Sequence, residues 1–144
     1  MRIATLIVIL LGHAYFAPHA LAQSQSDEEL RRLIVGTWVP SVGDTTSVPA
    51  KSTYRQDGIL EFVSYSDLSC TRATLRALAQ WKIEDGRLIV RVLESSDPTS
   101  VVRAGVVVVD QIVSISSSEA ILRNDSGTIQ RRARSSVCLN GRTA

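Results

Sequence analysis

The stretch QWKIEDGRLIVRV, residues 80–92, decides the fold class. Apolar side chains take every second position on both sides of the dipeptide Asp85-Gly86: Trp81, Ile83, Leu88, Val90 and Val92. Alternation with a period of two predicts strands that bury one face. An Asp-Gly dipeptide between such strands is typical of a β-hairpin with a type I′ turn, because both residues tolerate the positive φ angles of that turn. The stretch therefore predicts antiparallel strands at residues 71–83 and 87–93.

The same dipeptide recurs in YRQDGILEFVSY, residues 54–65, and predicts a second hairpin that turns at Asp57-Gly58. Its strands are residues 51–56 and 59–65. Three further segments have the composition of strands: GTWVP at 36–40, the apolar stretch at 100–115, and a last hairpin at 120–134. Short turns and no βαβ alternation favour closure into a barrel, which removes exposed strand edges. We expect an all-β, eight-stranded antiparallel up-and-down barrel with a short N-terminal helix.

The helix is predicted just before the first strand. Ser26 and Glu29 have the spacing of a capping box, in which a hydroxyl and a carboxylate satisfy the first backbone N–H groups. The apolar residues that follow fall on one helix face: Leu30, Leu33 and Ile34. The helix should span residues 27–35 and end near Gly36.

Residues 106–109 are four consecutive valines. A strand places two of these side chains on each face, so two should lie on the outer wall of the barrel. We expect the N-terminal helix to cover this pair. The alternative is that the pair forms a surface for a partner.

The N-terminus has the pattern of a secretory signal peptide. Arg2 supplies the positive charge, residues 3–11 are apolar apart from Thr5, and Ala20 and Ala22 offer small residues at a cleavage site. A retained N-terminal anchor is the alternative. We therefore divide the chain into a signal peptide, residues 1–22, and one domain, residues 23–144. The sequence predicts a periplasmic or secreted protein, and the absence of a cysteine after the apolar run excludes a bacterial lipid anchor.

Composition excludes several classes of function. The formal net charge is +2, too small to predict a nucleic-acid or membrane-surface partner. Cys70 and Cys138 are the two cysteines, and in an exported chain they predict a disulfide, with a free thiol as the alternative. Both histidines, His13 and His19, lie in the signal peptide. A Ser-His-Asp triad, a Cys-His pair and a zinc site are therefore excluded or unexpected, and we predict no catalytic residues, no metal, no cofactor and no enzymatic activity.

Several motifs, taken in order, resemble a known family. They are GTW at residues 36–38, YRQDGILEF at 54–62, WKIEDGRLIV at 81–90, DQIVSISSSEAIL at 110–122 and QRR at 130–132. This ordered set is similar to the small bacterial lipocalin-like domains, which are calycin-type β-barrels. The resemblance implies a barrel that binds a small molecule. It also implies that Trp38 plugs the barrel floor beneath an arginine of the last strand, for which Arg132 is the match and Arg134 the alternative.

The inward residues of the predicted barrel favour a modest cavity. Two alanines stand where larger side chains would be needed to fill the centre, so we place a pocket beside Ala77 and Ala79. Its other predicted members are Tyr54, as a polar group, and Leu60, Phe62, Trp81 and Val90. This pocket predicts a small apolar or amphipathic ligand. The alternatives are a protein-interaction module, such as a periplasmic inhibitor of a protease or of lysozyme, and a structural envelope protein.

Overall fold

A computed structural model describes residues 25–41, 44 and 48–138 of the chain. In this part of the chain one helix, α1 (Asp27–Ile34), precedes eight strands. The strands are β1 (Gly36–Pro40), β2 (Ala50–Tyr54), β3 (Ile59–Tyr65), β4 (Ala73–Glu84), β5 (Arg87–Ser95), β6 (Val107–Ile115), β7 (Glu119–Asn124) and β8 (Ile129–Arg134). The predicted signal peptide, residues 1–22, lies outside the described residues.

The strands form a closed antiparallel barrel in chain order, with β8 paired to β1. β4 is the longest strand, and every second residue along it is buried from Leu75 to Ile83. Its neighbours in between are exposed. The predicted fold class is therefore confirmed, and the alternation that predicted it corresponds to the inner and outer faces of the barrel wall.

Up-and-down order places alternate connections at opposite ends of the barrel. We call the end that carries α1 the closed end, and it also holds three turns: β2 to β3, β4 to β5 and β6 to β7. The open end holds the other four connections: β1 to β2, β3 to β4, β5 to β6 and β7 to β8. Among the described residues, the helix covers the closed end.

α1 is tied to the turn between β4 and β5. Ser26 is its N-cap, and the Ser26 hydroxyl accepts a hydrogen bond from the backbone N–H of Glu29 at 3.2 Å, as the capping box predicts. The Asp27 carboxylate accepts hydrogen bonds from the backbone N–H groups of Asp85 at 2.8 Å and Gly86 at 2.9 Å. The helix then buries two apolar side chains over the closed end: Leu30 and Ile34.

Trp38 and Arg134 complete the floor beneath α1. Trp38 is 1% exposed, and its indole Nε1 donates a hydrogen bond to the Ile34 carbonyl at 2.7 Å. The guanidinium carbon of Arg134 lies 4.4 Å from the centroid of the Trp38 ring, which is cation–π geometry. The same guanidinium donates hydrogen bonds to three backbone carbonyls: Leu33, Val35 and Ser117. One arginine thus joins the helix, the β6–β7 turn and the buried indole.

The arginine over Trp38 is Arg134, so the prediction of Arg132 for this contact was wrong. Arg134 is the direct cross-strand partner of Trp38, whereas Arg132 is paired with Pro40. Directly opposed residues have Cβ atoms about 5 Å apart, whereas diagonal neighbours are about 7–8 Å apart, so Arg134 starts closer to the Trp38 ring than Arg132 does. The resemblance had placed the contact at Arg132, which is two residues before Arg134 and on the same face of β8.

Gly36 of the GTW motif is required by the same contact. Its φ of +132° lies in the region that favours glycine. A Cβ atom at this position would also overlap the guanidinium of Arg134. The glycine of the GTW motif therefore allows the Arg134 guanidinium to approach the backbone of β1 closely.

The two Asp-Gly turns are not alike. Asp85 and Gly86 have φ angles of +52° and +70°, as the type I′ prediction requires. In the other turn Gly58 has a positive φ, at +83°, but Asp57 does not. Its carboxylate instead accepts a hydrogen bond from the backbone N–H of Ile59 at 3.2 Å and pairs with Arg55 at 2.6 Å. The type I′ prediction was therefore wrong for this turn.

α1 does not cover the outward-facing valines of residues 106–109, so the prediction that the helix covers them was wrong. α1 lies at the closed end, whereas residues 106–109 enter β6 from the open end. Val107 faces outward and is 47% exposed. Val106 instead packs on a cluster formed by Leu75, Ala77 and Val92.

Cys70 and Cys138 form the predicted disulfide, with Cα atoms 5.9 Å apart. This separation is within the usual range for a disulfide. The bond ties the segment after β8 to the connection between β3 and β4, across 68 residues of sequence. A disulfide indicates an oxidising, extracellular setting. No helix in the described part of the chain has the length and hydrophobicity of a membrane span.

Candidate functional site

The predicted pocket residues face the interior but divide between two packed clusters. The larger cluster contains the closed-end floor and five of the predicted residues: Tyr54, Leu60, Ala79, Trp81 and Val90. The smaller one contains Ala77, with the half-buried Phe62 packed on it. The seven residues therefore line different levels of the barrel and do not surround one cavity.

Trp81 belongs to the packing near the closed end. Its ring meets that of Tyr54 edge to face, with centroids 5.6 Å apart. Its Nε1 lies 3.1 Å from the carbonyl oxygens of both Arg55 and Ile59, which accept the indole hydrogen bond. These hydrogen bonds and the ring contact give Trp81 a structural role in the core.

The enclosed space near the floor is too small for a ligand. It has a volume of about 10 Å³ and lies between Trp38, Tyr54, Leu122 and Arg132. A space of this size holds at most one water molecule. It nevertheless places Arg132 in the barrel interior, close to Tyr54.

Val108 marks the level at which the interior meets solvent. It is the cross-strand partner of Val90, a member of the core cluster, so it faces inward. An inward residue of a filled barrel would be buried, yet Val108 is 40% exposed. Val108 lies beyond the end of β7, whose pairing with β6 begins at Asp110, and we call the inward surface around Val108 and Val90 the mouth.

Asp110 lies one inward position below Val108 on β6. Two residues along a strand span about 7 Å, so its carboxylate lies directly beneath the mouth. Asp110 is paired with the buried Leu88 and is 9% exposed. Its Oδ1 atom is buried and has no hydrogen-bond partner. An unpartnered buried carboxylate oxygen is costly, and in a folded protein it requires an explanation.

Three ionisable groups influence one another in this interior. Burial raises the pKa of the Asp110 carboxyl, an effect that the Arg132 guanidinium opposes and Asp125 reinforces. Burial also raises the pKa of Tyr54 to about 12, with Arg132 lowering it and Asp110 raising it. Tyr54 is therefore a neutral phenol at physiological pH. Asp110 forms no ion pair with Arg132 among the described residues, and Arg132 donates a hydrogen bond to Gln130 Oε1 at 2.8 Å.

Asp110→Asn is expected to stabilise the protein by about 1–3 kcal/mol at neutral pH, because it removes a buried charge that lacks a partner. The folded protein raises the pKa of this carboxyl, so between the unfolded and folded pKa values the folded chain binds more protons. Wild-type stability should then fall as pH rises through that window. The advantage of the variant should shrink on acidification towards the ordinary aspartate pKa of about 4.

Urea unfolding of the two proteins across this pH range measures the effect. Glu94→Gln, at an exposed position of β5, is the matched control and should show no such gain. A lower stability of Asp110→Asn at neutral pH, or a gain that does not change with pH, would contradict this assignment of Asp110.

Asp110 and Val108 were missed as site residues from sequence. Both lie in an apolar run without alternation, so the sequence offered no means of deciding which side chains face inward. The available signal was a lone carboxylate directly after four valines. It became informative only when the pairing of β6 with β5 placed it on the inner face.

Exposed apolar side chains gather on the open-end connections. Val101, between β5 and β6, is 83% exposed, and Leu68, between β3 and β4, is 64% exposed. A depression of about 570 Å³ lies elsewhere, along the outer side of α1, and four of the residues that line it are charged: Glu28, Glu29, Arg31 and Arg32.

No protein-family model matches this chain, and no curated protein sequence matches it. The closed eight-stranded antiparallel barrel is consistent with a calycin-like fold. Within residues 25–41, 44 and 48–138, no group of three or more His, Cys, Asp or Glu side chains is arranged to hold a metal ion.

Proposed function

We propose that this chain is an exported, lipocalin-like barrel that binds a small apolar or amphipathic molecule through its mouth and has no enzymatic activity. The motifs at residues 36–38, 54–62 and 81–90 support the family assignment together with the barrel. The disulfide supports export to the periplasm or beyond.

The exposure of the inward-facing Val108 carries this proposal. It gives solvent access to the inner face of β6 beyond the end of β7, whereas α1, Trp38 and Arg134 seal the floor. The wall beside Val108 is apolar, with Val90 opposite it on β5 and Trp81 opposite Val90 on β4. An eight-stranded barrel is wide enough to hold one small ligand when its inner side chains leave room.

Val108→Phe is expected to weaken binding of small apolar probes by about tenfold or more, because the larger side chain fills the mouth. Val107→Phe is the matched control, since it makes the same change on the adjacent, outward-facing residue of the same strand. The measurement is tryptophan fluorescence during titration with toluene and 1-hexanol. Equal affinities in the two variants would count against the mouth, and no response in the wild type would overturn the proposal.

A second candidate function is binding of a protein target, as an inhibitor of a protease or of lysozyme does. The observation that favours it is the exposed apolar Val101 and Leu68 on the open-end connections, which would be suited to contact a partner. This function predicts a stoichiometric complex with a protein that Val101→Asp disrupts. The ligand-binding function predicts that Val101→Asp leaves small-probe affinity unchanged.

A further inference from the structure

We infer that the ligand of this barrel carries an uncharged polar head that both donates and accepts hydrogen bonds, such as a primary amide or an alcohol, and that Asp110 receives the donated hydrogen bond. This inference rests on the proposed function, because it concerns the same mouth. It adds the chemistry of the part of the ligand that points towards the closed end.

The position of Asp110 carries the first step. Its unpartnered Oδ1 is buried beneath an inward residue that is itself open to solvent. A molecule that enters past Val108 along the inner face of β6 meets this oxygen next. A donor on the ligand would supply the hydrogen bond that the protein leaves unmade, and an apolar group would leave the oxygen unsatisfied.

The charges around Asp110 carry the second step. Arg132 faces the same interior and acts electrostatically on the Asp110 carboxyl, although the two form no ion pair. A cationic head would be repelled by Arg132, and an anionic head would be repelled by Asp110. With one charge of each sign already present, an uncharged head adds no unbalanced charge to a poorly hydrated site.

The hydrogen-bonding capacity of the two side chains carries the third step. A carboxylate accepts only, and a guanidinium donates only. A head that presents both a donor and an acceptor can therefore satisfy Asp110 with one and face Arg132 with the other. A primary amide does this from a single planar group.

The test is calorimetric titration of the disulfide-bonded protein with four probes of one shape: benzamide, benzylamine, benzoate and toluene. We expect benzamide to bind about tenfold more tightly than benzylamine or benzoate, the difference of about one well-made hydrogen bond. Asp110→Leu should abolish this preference and strengthen toluene binding. If Asp110→Leu does not fold, Asp110→Asn takes its place: it keeps a carbonyl acceptor but removes the charge, so it should retain the preference for benzamide over benzylamine and lose the preference over benzoate.

The outcomes separate this inference from the proposed function. If all four probes bind the wild type equally, or if benzylamine or benzoate binds most tightly, the head-group inference fails and ligand binding stands. A preference for benzamide that survives in folded Asp110→Leu also overturns the inference. If none of the probes binds, the proposed function fails and the inference fails with it.

Discussion

Replacing Trp38 with alanine is expected to lower the free energy of unfolding by about 3–5 kcal/mol, the range for a fully buried large aromatic side chain. Trp38 is 1% exposed and fills the floor of the barrel. Its loss removes the hydrogen bond to the Ile34 carbonyl and the stacking surface for Arg134. It also leaves a cavity where α1, β1 and β8 meet, and the closed barrel has little freedom to collapse into it.

Equilibrium urea unfolding followed by circular dichroism measures this loss. Trp38→Phe is the control, because it keeps an aromatic face for Arg134 while losing the indole hydrogen bond, and it should lose clearly less stability. A loss below about 1 kcal/mol for the alanine variant would show that the floor does not depend on this plug.

Removing the disulfide is the second large effect. The double variant Cys70→Ser, Cys138→Ser is expected to lose about 2–4 kcal/mol, because the bond closes a long loop in the unfolded chain. The two cysteines are 68 residues apart. The bond also anchors the segment that follows β8. The last residue of β8 is Arg134, which covers Trp38.

Chemical reduction provides the internal control for this prediction. Dithiothreitol should lower the urea midpoint of the wild type to that of the double variant and should leave the double variant unchanged. A wild-type midpoint that reduction does not alter would contradict the stabilising role of the bond.

The local pattern of this sequence predicts the wall of the barrel well. Alternation from Leu75 to Ile83 decides the inner and outer faces of β4, and Asp85-Gly86 decides the hairpin to β5. These are short-range features, in which the backbone geometry of a few residues determines the result. The N-cap at Ser26 is equally local, and the structure confirms its hydrogen bond from the Glu29 backbone N–H.

Features that depend on barrel closure were predicted less well. The choice between Arg132 and Arg134 depends on how β8 is paired with β1, and these strands are separated by nearly the whole domain. The position of α1 relative to residues 106–109 depends on which end the helix closes. Asp110 could be placed beneath the mouth only from the pairing of β6 with β5. In each case residues close in sequence carry no information on the register between distant strands.

The central claim, that the mouth holds a small molecule, is tested most directly by native mass spectrometry of the protein purified from its own host. The account predicts that wild-type protein carries a small organic molecule in addition to its polypeptide mass. Val107→Phe should retain this molecule and Val108→Phe should lose it, since only Val108 faces the interior. A wild-type protein that carries a protein partner and no small molecule, or an adduct that Val108→Phe retains in full, would contradict the account.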